Sequence, residues 1–199
     1  MIVVSGASAS GKTEVAKVLA SKYGIVKVIT TTTRKIRVNE VDGVDYFFVS
    51  NEKFLEMIKE DKFVEYTEYN GNFYGSTKDQ IQNNKCVVID PEGLKSYSQI
   101  EGRNVVTFFL KSKEETRYKR MLQRGDSVEN ASRRIINDRT AFSRANVCKV
   151  DHNIDSEKHT VEEVADIIYK LYQDHYGLPY LKMMVMDNRI IEYIIDKSI

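Results

Sequence analysis

The stretch Gly6-Ala7-Ser8-Ala9-Ser10-Gly11-Lys12-Thr13 determines how the rest of this chain is interpreted. It fits the pattern G-x-x-x-x-G-K-[ST] of a phosphate-binding P-loop. The apolar run over residues 1–4 predicts a buried strand before it, and the apolar spacing over residues 13–21 predicts a helix after it. This order brings the N–H groups of the loop and the positive end of a helix to a phosphate. The sequence therefore predicts a nucleotide-binding protein.

Two side chains of this loop have roles that the motif itself predicts. Lys12 is expected to reach the β- and γ-phosphates of the nucleotide, and the hydroxyl of Thr13 is expected to contact Mg²⁺. The alternative is a glycine- and serine-rich surface turn with an unrelated lysine. The strand and helix that flank the loop disfavour this alternative, because a surface turn needs neither.

The composition limits the class of protein. The chain has 199 residues, 42% of them hydrophobic, which suffices for one domain with a sizeable core and a mobile insert. Its 30 lysines and arginines nearly balance 29 aspartates and glutamates, so bulk charge does not indicate nucleic-acid binding. Cys86 and Cys148 are expected to be reduced thiols of a cytoplasmic protein. No segment suggests a membrane span, and we expect no signal peptide because the chain starts directly in a strand.

Residues 30–84 are predicted to form a small insert with its own sheet. Alternation over 63–69 and 72–76 predicts two strands, and Asn70-Gly71 between them is typical of a tight hairpin. A helix is predicted before them, over residues 51–61. The inner face of this helix is expected to consist of Phe54, Leu55 and Ile58.

The beginning of this insert is rich in hydroxyl and basic side chains. Arg34 and Arg37 are three residues apart, and Tyr46 follows them. Two guanidinium groups suit a phosphate because each offers a planar fork of donors, and a tyrosine hydroxyl can add another donor. The alternative is an exposed basic loop before an edge strand.

Two apolar runs after the insert predict further buried strands. The first, over residues 85–89, is followed at once by Asp90, so we expect this carboxylate at the carboxyl edge of a parallel sheet, where α/β proteins bind ligands. The second lies over residues 105–110, and residues 149–155 are predicted to form a last short strand and loop.

Residues 112–144 are dense in arginine, and Gly125-Asp126-Ser127 interrupts them. Two helices joined by a turn are therefore predicted. Some of these arginines are expected to contact phosphate, whereas the alternative is a solvated helical hairpin with internal ion pairs. The arginines are Arg117, Arg120, Arg124, Arg133, Arg134, Arg139 and Arg144.

The C-terminal part is predicted to be helical. Thr160 and Glu163 form the pattern of a capping box, and an apolar stripe follows them. Residues 179–199 are rich in methionine, tyrosine and isoleucine. We expect this tail to form an extra helix packed on the core or on a second copy of the chain.

Taken together, these motifs resemble the guanylate kinase family, the P-loop enzymes that phosphorylate GMP with ATP. The resemblance covers about the first 155 to 175 residues, in the right order. Beyond the P-loop, the segments that carry it are Thr-Thr-Thr-Arg-x-x-Arg over residues 31–37, Glu40-x-x-Gly43-x-Asp45-Tyr46-x-Phe48, Phe63-Val64-Glu65 and Gly71-Asn72-Phe73-Tyr74-Gly75-Ser76.

The resemblance implies a set of site residues. It implies that the GMP phosphate is held by Arg34, Arg37, Tyr46 and Tyr74. It implies that the guanine edge is read by Thr30, Glu65 and Asp90, with Ser76 nearby. It implies that ATP is bound by all eight loop residues, Gly6 to Thr13, and on the adenine side by Asn153. The catalytic residues it implies are Lys12 and the lid arginines Arg120, Arg124 and Arg134.

The chemistry of guanine supports the role of Glu65 independently. Guanine presents N1–H and N2–H₂ as neighbouring donors, and a carboxylate can accept from both. Adenine lacks this pair, so a buried Glu65 would be left unpaired by AMP, which penalises its binding.

The resemblance also implies the architecture and the partners. The expected fold is α/β, a P-loop NTPase-type mainly parallel sheet with helices on both faces, a small β-rich GMP-binding insert and a helical lid. We expect one domain, with Mg²⁺ as cofactor, ATP and GMP or dGMP as substrates, no nucleic-acid or membrane partner, and a monomeric or homodimeric state. Its expected parts are a core (1–29, 85–111 and 146–176), the insert (30–84), the lid (112–145) and an extra tail (177–199).

The sequence departs from the family pattern at several positions. Val88 stands where the family usually has an acid, two residues before Asp90. Ala7 and Ala9 stand where the family usually has Pro and Gly, and alanine can serve there if the backbone stays at negative φ. Thr30 replaces a more usual serine. The lid turn is about one residue short, so that Arg133 competes with Arg134 for the predicted lid position.

Two other functions are compatible with the same sequence. One is a guanylate-kinase-like binding module without catalysis, which the intact Lys12-Thr13 disfavours. The other is a related kinase for another phosphorylated acceptor such as a ribose phosphate. Val88 favours this second alternative slightly, whereas Glu65 and Asp90 disfavour it.

Overall fold

The computed structural model describes residues 1–69, 71–100, 105–175, 184–186 and 189–191. Its strands are β1 (Ile2–Ser5), β2 (Val26–Lys27), β3 (Thr31–Thr32), β4 (Phe47–Phe48), β5 (Phe63–Tyr69), β6 (Asn72–Thr77), β7 (Lys85–Ile89), β8 (Val106–Lys111), β9 (His152–Asp155), β10 (Met184–Met186) and β11 (Arg189–Ile191). Its helices are α1 (Lys12–Tyr23), α2 (Asn51–Lys59), α3 (Pro91–Ser98), α4 (Glu114–Gln123), α5 (Val128–Ala141) and α6 (Val161–His175), with a short 3₁₀ turn at Lys78–Gln80.

The central sheet is parallel and has β1 in its middle. Its five strands lie in the order β2-β7-β1-β8-β9, and every neighbouring pair runs in the same direction. Ser5 at the end of β1 lies beside Ile89 of β7 on one side and Phe109 of β8 on the other. The chain therefore leaves three neighbouring strands at one edge of the sheet, which is where ligands bind in such folds.

Helices cover both faces of this sheet, as predicted. On one face, α1 and α6 pack on a buried cluster that includes Val4, Leu19, Phe108 and Ile168. On the other face, α3 contributes Leu94 and Tyr97 to a second cluster that also contains Met1, Val3, Val28 and Val87. The alternation of β1 side chains between the two clusters follows from the period of two in a strand. The mainly parallel α/β fold is thus confirmed.

A second sheet of four strands lies within residues 31–77, in the order β4-β3-β6-β5. The predicted hairpin is confirmed, since β5 and β6 pair antiparallel and Tyr69 lies opposite Asn72. The buried Phe54 of α2 stacks on Phe63 at 4.4 Å and on Phe73 at 5.3 Å between ring centroids.

Leu55 of α2 does not lie on the inner face of the helix, where the sequence predicts it. Its exposed fraction is 45%. Phe54 fills the contact with the hairpin, and the next residue of a helix points about 100° away from it because a turn has 3.6 residues. The inner face of α2 is consequently narrower than its apolar composition indicates.

Two helix ends are formed as the sequence predicts. Gly24 adopts a left-handed conformation with φ of 67° after α1, and its N–H donates to the carbonyl oxygen of Ala20. At the start of α6, Thr160 and Glu163 form the reciprocal capping box, with distances of 2.8 and 3.2 Å between donors and acceptors.

The tail differs from the predicted extra helix in the part that the structure describes. Met184–Met186 and Arg189–Ile191 are extended and pair antiparallel, which suits the β-branched residues among them. The rest of 177–199 lies outside the described residues. Among the described helices, none combines the length and the apolar character that a membrane crossing requires.

Candidate active site

The P-loop leaves β1 at the carboxyl edge of the central sheet and ends where α1 begins. Gly6 has φ of 151°, and a side-chain carbon there would lie 2.7 Å from the carbonyl oxygen of Leu110. Gly11 has φ of 102° immediately before α1. Both positions therefore require glycine for steric reasons. The loop closes on itself through a hydrogen bond from the Ser10 N–H to the Ala7 carbonyl oxygen, at 3.2 Å.

Ala9 does not meet the condition of negative φ under which alanine fits this loop without strain. Its φ is +60°, in the left-handed region. A residue with a Cβ atom loses about 1–2 kcal/mol there, because that carbon approaches the following carbonyl oxygen. The side chain of Ala9 packs against a small buried cluster of the predicted lid, formed by Met121, Ala131 and Ile135. The strained Ala9 thus packs against this cluster, and its carbonyl oxygen accepts a hydrogen bond from Arg120.

Lys12 is held inside the loop that it belongs to. Its ammonium group donates hydrogen bonds to the carbonyl oxygens of Gly6 and, at 2.9 Å, of Ala7. Burial lowers the pKa of Lys12 to about 8, and the nearby Asp138 carboxylate partly opposes this by stabilising the charge. Arg134 lowers the pKa further. The ammonium group is thus already partly desolvated, and an anionic ligand beside it would stabilise its charge.

A cavity of about 580 Å³ opens in front of the loop. Six of the eight loop residues line it, from Ser8 to Thr13, together with Glu14. The three predicted lid arginines also line it, and they are Arg120, Arg124 and Arg134. This concentration of cationic side chains and a helix N-terminus suits the phosphates of a nucleotide.

The structure distinguishes Arg134 from its neighbour Arg133. Arg134 lines the cavity, and its guanidinium lies 3.6 Å from the carboxylate of Asp126. Arg133 is exposed and donates to the side-chain oxygen of Asn130 at 2.8 Å. Arg124 shares Asp126 with Arg134, at 2.6 and 2.8 Å. One carboxylate therefore occupies two of the cavity arginines, a role that a phosphate group can take over.

Asn153 is not among the residues that line this cavity, contrary to its predicted place on the adenine side. It is exposed on β9, beside Phe109 of β8. The following residues approach the cavity instead, because the chain turns there from β9 into α6. The contributors from this region are Ser156, His159, Val161 and Val164.

Ion pairs within residues 112–144 are expected from the sequence, but not that one of them, between Arg117 and Asp138, is buried and contacts the P-loop. Asp138 accepts hydrogen bonds from the N–H and the hydroxyl of Ser8, at 2.9 and 3.1 Å, and pairs with Arg117 at 2.5 Å. Asp138 is 8% and Arg117 4% exposed. The sequence holds one signal for this pair: Asp138 follows Ala131 and Ile135 at helical spacing, on the buried side of α5.

A second pocket, of about 220 Å³, contains the residues predicted to read guanine. Its walls come from β6, β7 and the segments around β2 and β5. The four predicted residues Thr30, Glu65, Ser76 and Asp90 all line it, and so do Lys27 and Val88. The hairpin brings two of these residues together, because Glu65 of β5 lies directly opposite Ser76 of β6. Asp90 caps α3 by accepting from the Gly93 N–H at 2.8 Å, so its position is fixed.

Glu65 is the carboxylate of this pocket with a shifted pKa. Burial raises the pKa of Glu65 above its ordinary value. Hydrogen bonding from Ser76 opposes the shift, and the nearby charges of Asp90 and Glu92 add to it. A partly desolvated acceptor in a small pocket is suited to a ligand with hydrogen-bond donors.

The four residues predicted to hold the acceptor phosphate are only partly assembled. Arg34 lies over the ring of Tyr46, with 5.3 Å between guanidinium carbon and centroid, and the rings of Tyr46 and Tyr74 meet edge-on at 6.2 Å. Arg34 also pairs with both carboxylate oxygens of Glu40. Arg37 is exposed, and its backbone N–H donates a hydrogen bond to the Glu40 carboxylate at 2.8 Å. The structure thus brings Arg34, Tyr46 and Tyr74 together and leaves the Arg37 side chain outside this group.

Comparison of the whole chain with known proteins points to one family. A family model described as guanylate kinase matches residues 1–171. The guanylate kinase of Wolbachia pipientis wMel is 33% identical over 181 residues, which are 85% of this chain and 89% of that protein. The guanylate kinase of Clostridioides difficile (strain 630) is 37% identical over 136 residues, 65% of this chain and 66% of that protein. The crystal structure of guanylate kinase from Anaplasma phagocytophilum superposes with a TM-score of 0.54 at 25% identity, covering 88% of this chain and 85% of that one.

Proposed function

The chain belongs to the guanylate kinase family, and we propose that it transfers the γ-phosphoryl group of ATP to GMP, and also to dGMP. The observation that carries this proposal is the composition of the smaller pocket. Thr30, Glu65, Ser76 and Asp90 line it together although they come from four separate stretches of the chain. Family membership supports the activity, and this pocket supports the choice of acceptor.

The smaller pocket suits guanine better than the other common bases. The Glu65 carboxylate can accept from both N1–H and N2–H₂ of guanine. AMP would leave this carboxylate without those donors in a pocket where burial has already removed part of its water. We therefore expect strong discrimination against AMP.

The relative position of the two sites supports direct transfer between them. Ser5 precedes the P-loop and Ile89 precedes Asp90, and these two residues lie side by side in neighbouring parallel strands. Donor and acceptor nucleotides would thus enter at the same edge of the sheet. Positioning supplies much of the acceleration in phosphoryl transfer, and the acceptor phosphate oxygen, already anionic, needs no strong general base.

Four cationic side chains are proposed to neutralise the charge that moves during transfer. Lys12 is the P-loop lysine that contacts the donor phosphates. Arg120, Arg124 and Arg134 line the same cavity and contact the transferred group after the predicted lid closes. Closure of lid and insert would exclude water, which otherwise competes as acceptor.

Mg²⁺ is the proposed cofactor, and Thr13 is the residue that would contact it. Mg²⁺ commonly keeps few protein ligands and binds substrate phosphates and water in addition. The hydroxyl of Thr13 suits this use, because it stands in the first turn of α1 and lines the donor cavity. The bound ion would supply further neutralisation of phosphate charge.

We propose a cytoplasmic location and a monomeric or homodimeric state. Both cysteines of the chain, Cys86 and Cys148, are free thiols, which suits a reducing compartment. We expect neither nucleic acid nor membrane among the partners, since the charges of the chain nearly balance.

The test is formation of ADP from ATP and Mg²⁺ across a panel of acceptors. The panel contains GMP, dGMP, AMP, CMP, UMP and a ribose bisphosphate, and the control is Lys12→Ala. We expect turnover with GMP and dGMP alone, and its loss in the control. Absence of turnover despite tight GMP binding would contradict the kinase activity and favour a binding module. Turnover confined to the ribose bisphosphate would instead show that the acceptor is not a guanine nucleotide.

A further inference from the structure

The tip of the P-loop is attached to the lid helices by a buried network of charges. The Asp138 carboxylate of α5 accepts from the N–H and the hydroxyl of Ser8 and from the guanidinium of Arg117. Arg117 of α4 also donates to the Ser8 carbonyl oxygen at 3.3 Å. Ser8 thus forms hydrogen bonds through its backbone and side chain with Arg117 of α4 and Asp138 of α5, and both partners are almost fully buried.

The adjacent residue of the loop is held by the same helix. Arg120 lies one turn after Arg117 in α4, and it donates to the Ala9 carbonyl oxygen at 3.2 Å. Two consecutive carbonyl groups of the loop therefore accept from two arginines on one face of α4. The methyl group of Ala9 packs against the small apolar cluster that joins α4 to α5.

These contacts coincide with the strained point of the loop. Ala9 has φ of +60°, a conformation that a residue with a Cβ atom leaves when nothing holds it. A strained residue persists where its surroundings over-determine it, and here the surroundings are Arg117, Asp138 and Arg120. We propose that Arg117 and Asp138 are positioning residues that keep the P-loop in its phosphate-binding conformation by holding Ser8, and thereby the left-handed Ala9, against the lid helices.

This inference rests on the proposed donor site and deepens it. Ser8 and Ala9 line the donor cavity, whereas Arg117 and Asp138 are not among its lining residues. The charges of the pair act on the pKa of Lys12 in opposite directions, so its proposed effect on nucleotide binding is through the shape of the loop. An ion pair that only stabilised the fold would not affect nucleotide binding in a folded variant. A pair that holds the loop would affect ATP binding, and a change at Ala9 would alter that effect.

The first experiment removes the whole pair from the full chain. Changing Arg117 alone or Asp138 alone would leave an unpaired buried charge. The variant is therefore the double substitution Arg117→Met/Asp138→Leu, called the latch variant, which replaces the ion pair by an apolar contact. The matched control is Glu114→Gln/Arg139→Gln, because this pair joins the same two helices at 2.7 Å on the surface without touching the loop. Thermal unfolding establishes that both variants are folded.

Equilibrium binding of ATP with Mg²⁺ and of GMP is then measured separately. We expect the latch variant to bind ATP about tenfold or more weakly, because small displacements of a phosphate-binding loop have effects of this size. We expect its GMP affinity, and both affinities of the control, to remain within about threefold of the native protein, because distant sites are nearly independent.

The second experiment uses Ala9→Gly, which removes the strain without restoring the ion pair. In the latch variant, this change is expected to return ATP binding to within about threefold of native, since glycine adopts positive φ without cost. A folded latch variant with native ATP affinity would overturn the proposal, and so would a failure of Ala9→Gly to restore binding. Both readouts are binding measurements, so a native protein that binds ATP but phosphorylates no acceptor would contradict the proposed function and leave this inference standing.

Discussion

The two carboxylate oxygens of Glu40 accept hydrogen bonds from the two terminal nitrogens of Arg34, at 2.8 and 3.1 Å. The pair is well shielded, since only 13% of the arginine side chain and 19% of the glutamate side chain are exposed. Glu40 also accepts from the Arg37 N–H, so it ties the whole turn together. This bidentate geometry fixes the plane of the guanidinium that is proposed to meet the GMP phosphate.

The first prediction concerns this pair. Glu40→Ala should raise the KM for GMP about tenfold, because Arg34 loses the partner that fixes its orientation. Glu40→Gln should have a smaller effect, since the amide oxygen still accepts one hydrogen bond. The KM for ATP should not change in either variant. Steady-state kinetics with each substrate varied in turn measures this, and unchanged GMP kinetics in Glu40→Ala would remove Arg34 from the acceptor site.

The second prediction follows from the raised pKa of Glu65. As the pH falls through that pKa, the carboxyl becomes protonated and cannot accept from both donors of guanine. The KM for GMP should therefore increase toward acid pH earlier than an ordinary glutamate would cause, while the KM for ATP does not follow the same curve. Glu65→Gln should lower kcat/KM for GMP about 100-fold or more at neutral pH and abolish this pH dependence.

Glu65→Gln carries a matching prediction for stability, with a defined sign. A carboxyl whose pKa is raised on folding destabilises the folded state at pH values above that pKa, because the unfolded chain releases the proton more readily. The native protein should lose stability as the pH rises through the interval between the unfolded and folded pKa values. At neutral pH, the thermal midpoint of Glu65→Gln should exceed that of the native protein, and a lower midpoint would contradict the desolvation argument.

The third prediction concerns Lys12. Because burial lowers the pKa of this lysine to about 8, kcat/KM for ATP should decline at alkaline pH with a midpoint near that value. Bound phosphates stabilise the ammonium, so the decline in kcat should lie at higher pH than the decline in kcat/KM. Lys12→Met should reduce kcat about 10³-fold, since a preorganised donor to the phosphates is lost. A profile without an alkaline limb up to the ordinary lysine pKa would contradict the assignment.

The fourth prediction separates the two neighbouring arginines of α5. Arg134→Ala should lower kcat about 10³-fold, because it removes a cationic contact to the transferred phosphoryl group. Arg133→Ala is the matched control, and we expect kcat to stay within about threefold of native, since Arg133 is exposed and points toward Asn130. An equal loss of kcat in both variants would mean that α5 does not present Arg134 in preference to Arg133 when the lid closes.

The elements that were predicted correctly are those whose conformation depends on residues close together in the sequence. The P-loop follows a strand and opens α1, the hairpin of β5 and β6 turns after Tyr69, and α6 begins at a capping box. In each case, residues a few positions apart decide the conformation through backbone geometry or a short-range hydrogen bond. The grouping of Thr30, Glu65, Ser76 and Asp90 in one pocket came from the resemblance to a family.

The features that the sequence did not predict depend on partners far along the chain. Asp138 meets Ser8 across 130 positions, and the helical spacing that places Asp138 on the buried side of α5 does not indicate which residue it contacts. The left-handed φ of Ala9 contradicts the preference of alanine itself, and it is held by contacts from α4 and α5. Asn153 is exposed on β9, and the residues of this region that line the cavity begin at Ser156, so the role of Asn153 on the adenine side stays a prediction.

The central place of β1 has a consequence for how this protein is made. Ile2 lies beside Cys86 on one side and Val106 on the other, so during synthesis β1 has no complete pairing until residues that follow it by 84 and 104 positions have left the ribosome. Pairing across such long stretches of chain is slow to form. In a nascent chain that ends before β8, the strand β1 lacks one of its two neighbours. Such a chain also lacks the arginines of α4 and α5 that line the ATP cavity. Capture of nucleotide by a ribosome-bound chain would therefore report that the whole sheet has assembled.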